Sequence, residues 1–424
     1  MTRRGSGSLV SVKRRHVSGA PRSDQVLVVD YGAHQFSADF ACCIAKISAL
    51  PVAYAFPYPT PTPNSSAVVV EAGTAIERRI ELARPFQRYG WRRIISEFEL
   101  AYRTFRLVRR MRPKAIYSSC MPVLPQLACY LGARSVHATF NFWLQDIVSV
   151  GGKDAFAGSR SVLALLTGMT GRVERMLLRR SDRVIAISAG FVNWLVGIGV
   201  EPKRILLQPN WSDPKRISPS DRKDPRDVFG PGGRVFLYAG TVGLKHDVGL
   251  LQGLGTALTD EGARLIVISE GEGAEALSLS GAVVVLPFQE SSLHATMLAS
   301  ADVLVVSLRT KAGEFSVPSK VNAYLCAGRP ILAALPETNL AAQILAEVGC
   351  PVTSPDDRDG FYEQARSLSQ AESNQLDDVG RRCRAFALEH FDVERITNSF
   401  IVTEPTERAY ADVRRRMGRL SVVR

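Results

Sequence analysis

Residues 313–335, GEFSVPSKVNAYLCAGRPILAAL, set Glu314, Ser316, Ser319 and Lys320 at the start of a short predicted helix, which a Gly-Arg-Pro corner and a buried strand follow. The first N–H groups of a helix lack partners and its dipole is positive there, so Pro318, Ser319 and Lys320 can receive a phosphate. The same residues also suit an ordinary helix start. Glycines at strand exits offer related chemistry: Gly32 in DYGAHQFS, Gly240 and Gly243 in YAGTVGLKHD, and the pair in SEGEG. Each lets backbone approach a ligand or turn at positive φ. Strand-to-helix turns want glycine in any case, so the weight lies in their recurrence in the second half.

The elements that carry these residues form two series. QVLVVDYG, PVAYAF, KAIYSS, SVHATFN and RVIAIS alternate with helical stretches, and after residue 234 the grammar restarts with RVFLYAG, ARLIVIS, AVVVLPF, DVLVVSL and PILAAL. Nearly continuous apolar strands are buried on both faces, as in parallel sheets covered by helices. Between the series lies LQPNWSDPKRISPSDRKDPRD, rich in Pro, Ser and charge and read as a linker. The fold class is α/β, two doubly wound parallel-sheet (Rossmann-like) domains facing across a cleft, with ligands outside the carboxyl ends of the strands. The divisions are a disordered basic arm (1–24), a first domain (25–210), a linker (211–230), a second domain (231–392) and a helical segment crossing back (393–424).

A chain of 424 residues suits two cores, and 46% hydrophobic content supplies both. No run of about 18 uncharged apolar residues appears, so neither a membrane span nor a secretory leader is expected. The seven cysteines are scattered without CxxC spacing, which suits small core residues in a reducing cytosol. A net charge of +12 allows nucleic acid, anionic lipid or phosphorylated ligands as partners. Residues 77–112 concentrate it, with eleven Arg against four Glu, and aromatic residues between them. Apolar positions 91, 94, 95, 98, 102 and 105 mark one face of a helix, with Arg92, Arg93, Arg103, Arg106 and Arg110 largely elsewhere. That pattern suits a helix lying on an anionic bilayer, and equally a core-packed helix with a solvated basic back. No nucleic-acid motif accompanies the charge.

Taken together these residues resemble the GT-B glycosyltransferases, in particular the group-4 sugar-nucleotide transferases of bacterial polysaccharides and glycolipids. SDRVIAISAGFVNWLVGIGVEPKRILLQPNWSD is similar to the family's strand, helix and Pro-Asn run before the linker. YAGTVGLKHD resembles its glycine-rich strand exit, VVVLPFQESSLHATMLASADVLVVSL its nucleobase-passing segment, and VPSKVNAYLCAGRPILAAL the donor motif of its Pro-Ser-Lys branch. The resemblance implies a UDP- or GDP-sugar donor in the second half, an acceptor in the first, retention of configuration and no metal or other cofactor. A departing diphosphate is stabilised by fixed cations and backbone donors, roles open to Lys245, Lys320 and the amides around Gly32, Gly243 and Ser319. Lys245 otherwise opens a helix, where a cation is mildly unfavourable. Phe288 lies either beside the base or in the core. Asp357 and Asp359 of the Asp-Arg-Asp at 357–359 read as solvated surface.

The family's two Glu residues, eight apart, have no counterparts in register here. The ribose position falls at Ala323, with Asn322 beside it, and the sugar position at Phe315, one residue after Glu314. On the acceptor side the resemblance points to Asp146 or Asn141 after SVHATFNFW, Asp146 as base or stabiliser of positive charge at the anomeric carbon; an N-cap Asp is the alternative, and His137 reads as a core histidine inside the strand. Acceptors in the family often ride on polyprenyl diphosphate, so Trp91, Arg92, Arg93, Arg106 and Arg110 are assigned to a face against the anionic inner leaflet, with GRVERMLLRR (171–180) extending it. Basic ERAYADVRRRMGRL reads as part of the returning helix or as solubilising charge. The resulting expectation is a cytoplasmic, peripherally membrane-bound hexosyltransferase of envelope or exopolysaccharide assembly, with no nucleic-acid partner. Its rivals are a sugar-nucleotide epimerase of the same fold and a catalytically silent scaffold, the latter motivated by the unmatched Glu pair.

Overall fold

The computed structural model describes residues 24–59, 70–71, 73–86, 90–147 and 162–401. The arm at 1–23, the basic stretch at 407–420 and the side chains of Trp91 and Glu314 lie outside the described residues. Two parallel sheets form the frame. The first comprises β1 (Val26–Asp30), β2 (Val52–Tyr58), β3 (Ile76–Glu81), β4 (Ala115–Ser119), β5 (Thr139–Leu144), β6 (Arg183–Ala186) and β7 (Ile205–Leu207), ordered β3-β2-β1-β4-β5-β6-β7. The second comprises β8 (Val235–Ala239), β9 (Arg264–Ile268), β10 (Val283–Leu286), β11 (Val303–Ser307), β12 (Ile331–Ala334) and β13 (Val352–Thr353), ordered β10-β9-β8-β11-β12-β13.

Central strands β1, β8, β11 and β12 are buried along their whole length, the reason they read as unbroken apolar runs. In each sheet the strand order reverses once: β1 pairs with both β2 and β4 (Val26↔Val52 and Val26↔Ala115), and β8 lies between β9 and β11. A crevice opens beyond the strand ends at such a switch point, which places any ligand near residues 30–34 and 120 in one domain and 240–246 and 308–316 in the other.

Several expectations are corrected. The basic stretch 77–112 is divided between a strand and a helix. Ile76–Glu81 pairs along β2 as an edge strand, where Arg78 and Arg79 stay in solvent while Ile80 is buried. The helix proper is Gly90–Met111, and its packed face is the row Ser96, Leu100, Thr104 and Val108, seated on the helix Val123–Ser135. The apolar residues chosen for their spacing point the other way, with Ile94, Ile95, Phe98 and Tyr102 between 43% and 60% exposed. Phe105 of the same set is half-buried and lies against Gly132, so the helix is core-packed on an adjoining row while those four residues face outward. His137 is likewise no core residue. It sits exposed in the turn before β5 at φ 57°, because the strand begins only at Thr139. Strands β3, β7 and β13 had no predicted counterpart.

The linker is fastened to both sides. Trp211 stacks on Trp143 at 5.6 Å, Arg216 pairs with Asp39 at 2.7 Å, and Arg384 donates to the carbonyls of Pro214, Ile217 and Cys326. Helix Ser373–His390 packs on helix Lys320–Ala327 of the second domain, and the following helix Val393–Ile401 packs on Gln35–Ser48 of the first. There Phe400 lies 4.5 Å from Phe40 and 5.2 Å from Trp143.

Candidate active site

In the second domain the exit of β8 and the start of helix Lys320–Ala327 are built as a unit. Tyr324 donates its hydroxyl to the Ala239 carbonyl (3.2 Å) and accepts from the Ala239 N–H (2.8 Å), which pins the helix to the strand end. Lys320, one turn earlier, then lies over Gly240. A Cβ at position 240 would stand 3.1 Å from Lys320 Nζ, and φ there is +132°, so both space and conformation call for glycine. Among the described residues the Lys320 Nζ has no hydrogen-bond partner; it is buried 3.5 Å from the centre of the Tyr238 ring. Burial holds its ammonium well below the ordinary lysine range. The ring face offsets part of the desolvation, but a buried cation without a counter-charge remains unfavourable until an anion arrives.

His246 packs edge-on against Tyr238 and accepts the Gly243 N–H on Nδ1 at 3.1 Å. Burial, then Lys320, push its pKa down to about 3, so it stays neutral and fixes the turn 240–246. Lys245 projects from that turn into the interdomain space. Its Nζ lies 3.0 Å from Asp146 Oδ1 of the first domain and 3.0 Å from Ser316 Oγ. Both charged partners are exposed by more than a third. The Arg309 N–H donates to the Lys245 carbonyl, and Arg309 Nε to that of His246, so the segment after β11 braces the turn.

The first-domain wall is internally compensated. Asp146 leaves β5 beside Gln145, whose side-chain amide pairs reciprocally with that of Asn210. Asp30, fully buried at the end of β1, accepts from the N–H groups of Gly32 (3.0 Å) and His34 (2.6 Å), from Tyr54 OH (3.2 Å) and from His34 Nδ1 (3.0 and 3.2 Å to its two oxygens). Burial opposes charge on both groups, yet the pairing outweighs it. Asp30 is held below the usual carboxylate range, and His34, beside Asp30 and Cys120, well above the usual imidazole range. Ligand atoms of Asp30, His34 and Cys120 lie within 4.8 Å of one another, but four N–H or O–H groups already occupy the carboxylate.

Of the residues singled out from sequence, the fold brings Lys245 and Asp146 into contact and sets Lys320 over Gly240 at the start of the turn that carries Lys245. The amides of Gly32 and Gly243 are already engaged, by Asp30 and His246. Ser319 is exposed at the helix start and makes no side-chain cap bond, Asn322 is half-buried one turn on, and Glu314 belongs to the short helix Thr310–Phe315. Phe288 packs partly against the core while its N–H donates to Glu270 at 3.1 Å. Asn141 is buried in the sheet, bonded to the Ile116 carbonyl. Asp357 caps the helix Arg358–Gln370 through the Gly360 N–H. Arg92, Arg93, Arg106 and Arg110 lie on helix Gly90–Met111, Arg93 paired with Glu97 and Arg106 over the Tyr102 ring. Sequence reasoning missed Asp30, His34, Cys120 and Tyr238. The signal for the first was present, an apolar strand VLVVD that ends on a carboxylate.

Residues 51–211 match the family model described as a glycosyl transferase 4-like domain. The chain is similar to the putative colanic acid biosynthesis glycosyl transferase WcaI of Escherichia coli K12, 24% identical over 277 residues, which are 61% of this chain and 67% of that protein. Among solved structures it resembles sucrose-phosphate synthase of Thermosynechococcus elongatus, with a TM-score of 0.67 at 15% identity over 92% of this chain and 99% of that one. It also resembles Anabaena Alr3699/HepE in complex with UDP-glucose, with a TM-score of 0.64 at 14% identity over 91% and 99%. At such identities the structural likeness speaks for the fold.

Proposed function

Because the chain is a glycosyltransferase of the GT-B type, group 4, we propose that it moves a hexose-type sugar, with retention and without metal, from a UDP- or GDP-sugar to a lipid-linked saccharide in envelope or exopolysaccharide assembly. The observation that carries the donor half is Lys320, a buried cation without a counter-charge at a helix start beside a glycine strand exit. UDP is the expected nucleotide, since the Anabaena relative is complexed with UDP-glucose.

In this reading the diphosphate takes the place of missing anions at Lys320 and competes with Asp146 for Lys245. Lys245 then turns to the phosphate oxygens and neutralises the charge that develops as the nucleotide leaves. Asp146, released, faces the acceptor hydroxyl as a proton acceptor or the anomeric carbon as a stabilising charge. The outward row Ile94, Ile95, Phe98 and Tyr102, flanked by Arg92, Arg106 and Arg110, supports a cytoplasmic enzyme resting on the anionic inner leaflet. No described helix is long and apolar enough to cross a membrane. Ala323 in the ribose position favours a second reading, a silent scaffold that keeps the fold and not the turnover.

A thermal-shift screen with UDP, GDP, ADP and CMP, with and without EDTA, tests the donor site, since a ligand of the native state raises the midpoint by mass action. A shift with UDP or GDP that survives EDTA is expected. No shift with any of the four, from folded protein, overturns the donor site.

A further inference from the structure

We propose that His34 is an oxyanion-receiving residue of the first-domain wall, held by Asp30 so that its ring meets a phosphate of the substrate. This rests on the transferase reading of the cleft. His34 stands at the switch point between β1 and β4, where the sheet opens a crevice, and 37% of its side chain is exposed there. Its orientation is built rather than incidental. Asp30 holds both the His34 backbone N–H and Nδ1, and Tyr54 braces the same carboxylate and the His34 carbonyl. A Cβ on Gly32 would come 2.0 Å from the His34 ring, so Gly32 serves as the surface over which the ring lies.

Charge and chemistry agree with that geometry. A ring whose Nδ1 is fixed on a buried carboxylate is kept as a cation, as the raised imidazole pKa indicates, and its remaining ring N–H is a donor. Its other neighbour, Cys120, follows β4 at φ +55° and offers only a sulfur, a weak acceptor that an oxyanion displaces. Besides burial, the groups that set the ring's charge are Asp30 and Cys120, and the Tyr54 hydroxyl donates to Asp30. The helix Gln35–Ser48 begins at this point with no acidic residue in its first turn, so its dipole favours an anion there while Asp30 balances the ring's own charge. An acceptor diphosphate and the donor diphosphate share the chemistry required.

Six histidines make selective 15N-histidine labelling of the full chain readable, and the His34→Gln variant identifies the signal. At about pH 7.5, above the ordinary imidazole pKa, a cationic His34 is expected whose resonance moves on titration with inorganic pyrophosphate. A shift with UDP alone assigns the donor as the source, and a shift with geranyl diphosphate on UDP-saturated protein assigns the acceptor. In steady-state assays His34→Gln should raise KM for that substrate about tenfold, the worth of one charge-assisted hydrogen bond, while kcat changes little. Asp30→Asn should move KM the same way and lower the pH at which His34 loses its proton. A neutral ring at that pH, no shift with pyrophosphate, or an unchanged KM overturns the proposal. So does stoichiometric Co²⁺ binding with a thiolate charge-transfer band that Cys120→Ser abolishes, which would make the cluster a metal centre. If UDP still raises the midpoint while His34 is silent, this proposal alone fails; if UDP does neither, the transferase reading fails with it.

Discussion

The two walls of the cleft handle charge in opposite ways. On the second-domain wall the Lys320 Nζ is buried against Tyr238 with no hydrogen-bond partner among the described residues, and His246 beside it is neutral. On the first-domain wall the described acidic groups have partners: Asp30 with His34 of its own domain, Asp39 with Arg216 of the linker, and Asp146 with Lys245 across the gap. A wall with an unmet charge selects an anion directly. One whose charges are met must be opened by exchange; in the proposed reading the Lys245–Asp146 contact would couple the filling of one side to the arming of the other.

The comparison breaks most readily at Asp146. Asp146→Asn should lower kcat by roughly 10²–10⁴, the range of a lost general base, with UDP affinity unchanged or improved because Lys245 loses a competitor. Steady-state rates and UDP titration check both halves. Lys320→Met should weaken UDP binding by about 1.5–3 kcal/mol, the worth of a hydrogen bond to a charged group, without lowering Tm, since it removes a buried amine that no hydrogen bond satisfies. A falling Tm in that variant would mean the ammonium has a structural partner. The same residue predicts a pH dependence. Free Lys320 loses its proton well below the ordinary lysine range, so UDP affinity should fall as pH rises through that value, and binding below the ordinary range should take up a proton, visible by calorimetry in buffers of different ionisation enthalpy.

Smaller effects sharpen the acceptor side. Arg106→Gln and Arg110→Gln should each reduce binding to anionic vesicles by about 1 kcal/mol and leave neutral vesicles unaffected. For His34, the folded ring keeps its proton to higher pH than the unfolded one. Its contribution to stability is therefore complete below about pH 6.5 and fades as pH rises through the folded value. The Tm gap between the wild type and His34→Gln should narrow in alkaline buffer.

Most of the frame was legible because β1, β8, β11 and β12 are apolar on both faces, a pattern few other arrangements produce. Strands β3 and β13 escaped because edge strands carry charge or are only two residues long. Lys245 and Lys320 were legible as cations near glycine turns. That one is bare and the other bridged depends on contacts between residues 99 and 71 positions apart, which spacing does not encode. The helix Gly90–Met111 taught a different lesson. Its three-and-four pattern located an apolar face correctly, but the neighbouring helix packs instead on the small row Ser96, Thr104 and Val108, where Gly132 leaves room for close approach.

The return of Val393–Ile401 to the first domain has a consequence for the order of events at the ribosome. Phe400 completes the aromatic cluster of Phe40, Tyr117, Trp143 and Trp211, which otherwise belongs to the first 211 residues. With synthesis at about 5–20 residues per second, that last ring follows Trp211 by roughly 10–40 s. The first domain thus waits with an open core while the second is made, and this is the interval in which a nascent chain most needs shelter from its neighbours.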